Sequence, residues 1–92
     1  MDEIVEKRIE LQKHLRGIFP EAEQVIVKSN CEREAAMINL SADGYSKSVD
    51  KVNEIKEKIL RKPLIRMRYN DDNSGFCLEG PSPSHLLAIF QE

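Results

Sequence analysis

The sequence predicts an α+β fold, a two-layer sandwich with two helices on one face of a three- or four-stranded, mainly antiparallel sheet. The expected order is α-β-β-α-β-β, followed by a short C-terminal helix or strand. Three observations predict it. Apolar residues recur at helical spacing in two stretches near residues 2–18 and 48–60. Short β-compatible runs occupy residues 25–30, 35–40, 64–69 and 76–79. Gly, Pro, Asn, Asp and Ser punctuate the gaps between these stretches. With 92 residues, the chain has room for one core and one domain, residues 1–92, with a net stability on the order of 5–15 kcal/mol.

Residues 2–18, "DEIVEKRIELQKHLRGI", place Ile4, Leu11, Leu15 and Ile18 on one stripe with Val5 and Ile9 beside it, which predicts an amphipathic helix with one buried face. Asp2 suits the N-cap, Glu3 and Glu6 the positive end, and Lys13, His14 and Arg16 the negative end. Gly17 and Pro20 end the helix, and Phe19 is expected to anchor that end in the core. "VIVKSN" and "AAMINL" flank the polar "CERE", so they read as a hairpin. Val25 and Val27 share a face of the first strand, and Ala36, Ile38 and Leu40 share a face of the second. "SADGYSKS" is expected to break the pattern. A second helix follows with Ser46 or Ser48 as cap and Val49, Val52, Ile55 or Lys56, and Ile59 tracing its apolar stripe to Leu60, before Pro63 stops it.

"LIRMRY" alternates Ile65, Met67 and Tyr69 against Leu64, Arg66 and Arg68, the period of a half-buried strand. "NDDNSG" is a turn and "FCLE" the return strand. The last segment, "HLLAIFQE", reads either as a short helix capped by Ser84 or as an edge strand.

Composition narrows the function classes. Hydrophobic residues make up 40% and charged residues 33%, the balance of a chain that folds. The formal net charge is −2, from 14 basic and 16 acidic residues, so no whole-molecule field draws the protein to nucleic acid or an anionic surface. Cys31 and Cys77 lie far apart outside any CxxC spacing, and the N-terminus begins with the charged "MDEIVEKR"; the expected location is the reducing cytoplasm. No apolar run approaches the roughly 20 residues of a membrane span, so no membrane partner is expected.

Chemistry-bearing patterns are scarce. The sequence holds no GxSxG, Walker A, GxGxxG or HExxH motif, and His14 and His85 have no local partner, so an enzyme is not expected. His14, Cys31, Cys77 and His85 stand singly rather than in the close pairs of a zinc site. "NDDNSG" lacks the spacing and distal Glu of a calcium loop. No metal and no cofactor are expected.

Two features invite a partner. Residues 56–68, "KEKILRKPLIRMR", carry six basic residues against Glu57, and Arg61, Lys62, Arg66 and Arg68 are the candidates to meet phosphates or an acidic protein surface. The alternative is that they solvate a helix and blunt an edge strand. Scarce aromatic residues count against single-strand binding by stacking. In "SHLLAIFQE", Leu86, Leu87, Ile89 and Phe90 are too apolar for a free tail, so they pack on the domain's own sheet or on a partner.

From Leu11 to Leu60 the succession of amphipathic helix, "FPEAE", a Val-rich strand, a hairpin, a second strand and a Lys-rich helix resembles the DinI family of small DNA-damage-inducible regulators of enterobacteria and their phages. The family begins with a strand, so here the equivalent strand would have to come from "LIRMRY". Its final helix is acidic, and the resemblance would make that helix the surface contacting the RecA recombinase filament. The helix here is basic, with Lys51, Lys56, Lys58, Arg61 and Lys62, and that contact is not carried over. The order also looks like the cytoplasmic domain of cation-diffusion transporters, whose metal-binding histidines have no matching positions.

The expected function is therefore a non-catalytic protein-binding regulator or inhibitor, of the kind carried by phages and mobile elements, that occupies a partner's surface through Arg61, Lys62, Arg66, Arg68, Leu86, Leu87 and Phe90. The alternatives are a nucleic-acid-binding module using the basic patch at 56–68, and a structural homodimer in which residues 76–79 or the tail from His85 to Phe90 complete a shared sheet or core.

Overall fold

A computed structural model describes residues 2–30, 32–72 and 74–91. Helix α1 (Glu3–Ile18) leads into a hairpin of β1 (Gln24–Asn30) and β2 (Arg33–Asn39). Helices α2 (Ser41–Lys47) and α3 (Val49–Ile59) follow, then β3 (Arg66–Tyr69), β4 (Gly75–Gly80), α4 (Pro83–Leu87) and a 3-10 turn, Ala88–Phe90. The sheet is antiparallel throughout, in the order β1-β2-β4-β3. The α+β class, the hairpin, the return strand and the two main helices are as expected. "LIRMRY" lies at the sheet edge, and the strand that joins the hairpin is β4.

One face of the sheet carries the core. Register aligns Val25, Ile38, Phe76 and Tyr69 across the four strands, and Val27, Ala36, Leu78 and Met67 one row on. Leu11, Leu15 and Phe19 from α1, Val52 and Ile55 from α3, and Leu86, Leu87 and Ile89 from the tail pack onto these rows. Each such buried side chain stabilises by about 1.5–3 kcal/mol. Phe19 meets Phe76 edge-on, with ring centroids 5.5 Å apart, so it anchors the helix end as expected. Lys51 of α3 donates to the Ile18 carbonyl at 2.7 Å, placing a cation at the negative end of α1.

Asp2 caps α1, its Oδ1 accepting from the Ile4 N–H at 3.0 Å. The buried stripe is shorter than expected, because Ile4, Val5 and Ile9 are exposed. Arg8 already meets Glu34 near the end of the sheet, with Nε to Oε2 at 2.6 Å and Nη2 to Oε1 at 3.0 Å, so the turn before Arg8 has nothing to pack on. This fork keeps the buried Glu34 carboxylate paired, which an interior charge requires.

"SADGYSK" forms α2 and does not break the chain. Ser41, at φ 65, turns its Oγ to accept the Gly44 N–H at 3.2 Å, and Tyr45 packs against the core, so local capping and burial overcome weak helix propensity. Ser48 stands at the start of α3, but its hydroxyl donates to Glu21 and makes no cap. Val49 and Leu60, expected on the buried stripe, are exposed, Leu60 by 78%. Strand β3 begins at Arg66, two residues later than expected, leaving Leu64 58% exposed.

The tail is helical, with Ser82 as its cap and Pro83 in its first turn, whereas Ser84 was expected to cap it. Leu86, Leu87 and Ile89 are buried in the chain's own core, so Leu86 and Leu87 are not presented to a partner. Strand β4 is bonded on both sides and has no free edge with which to complete a shared sheet. Gly75 sits where an added Cβ would lie 2.0 Å from the Ile38 carbonyl oxygen, a position only glycine fills.

Two measurements check this packing. Leu86→Ala should lose about 2–5 kcal/mol in urea denaturation, while Leu60→Ala should stay within about 0.5 kcal/mol of the parent. The Ser48 hydroxyl bond, Glu21's own N–H and Lys51 hold the Glu21 carboxyl below the usual carboxylate range. Stability from a lowered carboxyl is present above the ordinary range and lost as pH falls through its depressed value, so Glu21→Gln should show a shallower fall of the urea midpoint on acidification.

Candidate functional site: the open sheet face

Alternation along the strands sends every second side chain to the face opposite the helices. Register there gives three rows: Lys28, Ala35, Glu79 and Arg66; then Ile26, Met37, Cys77 and Arg68; then Gln24, Asn39 and Gly75, with Asn70 bonded to Gly75 at 3.0 Å. Arg33 stands at the β2 end beyond the first row. The result is a small apolar floor of Ile26, Ala35, Met37 and Cys77, with basic groups at one end and both side edges and carboxamides at the other end.

The basic groups are held differently. Arg33 Nη2 donates to the Leu64 carbonyl at 3.2 Å, which carries its side chain across β4. Arg68 Nη1 lies 3.6 Å from Glu79 Oε1, and Arg66 is the direct cross-strand neighbour of Glu79. Arg66 and Arg68 are exposed. Among the described residues, the buried Arg33 Nε and Glu79 Oε1 have no hydrogen-bond partner, the latter being held only by the longer ion pair with Arg68.

Two shallow hollows flank the Met37–Cys77 pair. One, of about 220 Å³, is lined by Gln24, Ile26, Asn39 and Asn70 beside that pair; the other, of about 300 Å³, by Lys28, Ala35, Arg68 and Glu79. Burial pushes the Cys77 thiol up, and Glu79 adds to the shift while Arg68 opposes it.

The structure divides the residues expected to bind a partner. Arg66 and Arg68 share the open face. Arg61 and Lys62 border a separate hollow of about 280 Å³ with Leu64, Ile65, His85 and Ala88. Phe90 is partly exposed and packs against His14, with centroids 5.3 Å apart. Lys28, Arg33, Met37 and Glu79 were not singled out from sequence, although alternation within each strand assigns them to this face.

Other chemistry-bearing residues serve local structure. Ser82 Oγ and His85 Nδ1 lie 2.6 Å apart within the α4 cap. Asp72 Oδ1 accepts from the Ser74 N–H at 3.0 Å, closing the β3–β4 turn. Cys31, weighed above as a ligand, lies outside the described residues. Among the described residues, no group of three His, Cys, Asp or Glu is placed to hold a metal ion, and no helix is long and apolar enough to cross a membrane.

Comparison with protein-family models, curated proteins and solved structures finds no match to the chain.

The thiol gives a direct check of the floor. In a Cys31→Ser background, Cys77 should react with iodoacetamide several-fold more slowly in the folded protein than in urea at the same pH, because only the thiolate attacks. Equal rates would show that burial does not hold the Cys77 thiol up.

Proposed function

We propose that the protein is a non-catalytic binding module, a regulator or inhibitor that occupies a partner protein's surface with its open sheet face. The observation that carries this reading is the uncovered apolar floor bordered by Lys28, Arg33, Arg66 and Arg68. An apolar centre with a charged rim is the composition of protein interfaces, and arginine is enriched among their strongest contacts. The succession of elements resembling the DinI regulators supports a regulator, without naming its partner.

Photo-crosslinking tests it. With p-benzoylphenylalanine in place of Ile26, a discrete crosslinked species is expected in bacterial lysate, and Arg66→Glu with Arg68→Glu should reduce it about tenfold, a loss worth 1.4 kcal/mol. The same probe in place of Glu54, exposed on α3, is the control. Equal yields from the two positions would sink the reading.

The gathering of four cations on one face favours a second reading, nucleic-acid binding, which predicts affinity falling steeply with salt. No mobility shift at about 50 mM salt would remove it.

A further inference from the structure

We propose that the ligand of the open face is a short acidic peptide segment of the partner, with carboxylates flanking one or two large apolar side chains; this rests on the binding-module reading above. Charge complementarity selects it. Four of the chain's 14 basic residues stand on this face, whereas Glu79 is the acidic strand residue there and is itself engaged by Arg68. The rest of the molecule is net negative, although Lys56, Lys58, Arg61 and Lys62 form a second basic stretch from the last turn of α3 onward. The cations of this face stand in or beside the Lys28 and Arg68 rows, whereas the Asn70 end has none among the described residues and Asp71 and Asp72 follow it in the chain. A bound acidic segment is thereby oriented, its carboxylates at the arginines and an apolar side chain in the hollow between Ile26 and Met37.

Hydrogen bonding points the same way. Arg33 Nε is a buried donor and Glu79 Oε1 a buried acceptor, neither with a hydrogen bond among the described residues, although Glu79 Oε1 is ion-paired with Arg68. A peptide backbone offers an acceptor and a donor together, within reach once the long Arg33 and Arg68 side chains turn toward it. Other occupants fit less well. A second copy packed face to face would set two faces against each other that each carry Lys28, Arg33, Arg66 and Arg68 against the one strand carboxylate of Glu79. For single-stranded nucleic acid, stacking supplies much of the affinity, and no aromatic ring among the described residues lies on this face, since Tyr69 turns to Tyr45 on the helix side with centroids 6.4 Å apart.

The test is selection of a random-peptide library displayed on phage against the folded full chain, with fluorescence anisotropy on the enriched peptides. The expected result is enrichment of Asp- and Glu-rich sequences spaced by Leu, Ile or Phe, with affinity reduced about tenfold or more by Arg66→Glu with Arg68→Glu. It should also fall with Met37→Glu and weaken with added salt, while circular dichroism and the urea midpoint verify folding. Apolar peptides without acidic residues that are lost with Met37→Glu would overturn the acidic ligand and leave the docking face standing. Peptides indifferent to all these substitutions would overturn the face itself. No enrichment, or binding of an oligothymidylate in its place, would overturn the peptide ligand.

Discussion

The pairing of β2 with β4 is the constraint on which the rest of the molecule depends. It joins residues far apart in sequence, Glu34 to Gly80 and Asn39 to Gly75, and builds both layers in one step. Toward the helices it sets Ile38 beside Phe76 and Ala36 beside Leu78, the centre of the core. Toward solvent it sets Met37 beside Cys77 and Ala35 beside Glu79, the centre of the open face. Neither surface exists in the β1–β2 hairpin alone. Closing so long a loop comes before the contacts that reward it, so the centre of the core and the floor of the open face form together.

The two faces differ because the chain spends its helices on one of them. Helices α1 and α3 and the C-terminal turn converge on the same side, where even a charged residue, Glu34, is acceptable because Arg8 reaches it with two hydrogen bonds. The opposite side receives no helix, and its polar groups are satisfied unevenly. Glu34 and Glu79, both buried and one residue apart in register across the β2–β4 pair, show the contrast: one is held in a fork of hydrogen bonds, the other has an oxygen with no hydrogen bond among the described residues and only the longer ion pair with Arg68.

Much of this architecture is legible in the sequence because periodicity is a local property. The strand alternation in "LIRMRY", the helical stripe through Leu11 and Leu15, and the turn residues between elements locate most elements within two residues. Helix α2 is not legible, since Gly44 and two serines argue against a helix and only packing of Tyr45 argues for it. The extent of burial along α1 is hidden as well: Ile4 and Leu11 share a stripe, and which of them is covered depends on where the sheet ends. At the site, Arg66 and Arg68 stand out as a run of charge. Lys28 and Arg33 do not, because they join the arginines only through the strand order β1-β2-β4-β3.

Gly75 gives the open face its identity. A side chain at that point would collide with the Ile38 carbonyl oxygen, so β4 docks on β2 only where the chain offers a bare backbone. A slip of one residue would bring Ser74 or Phe76 to the same point and exchange the two faces of the strand, turning Cys77 and Glu79 toward the helices and Phe76 and Leu78 toward water. The missing methyl group therefore acts as a steric key, selecting one alignment of the central strands and with it which side chains the open face presents.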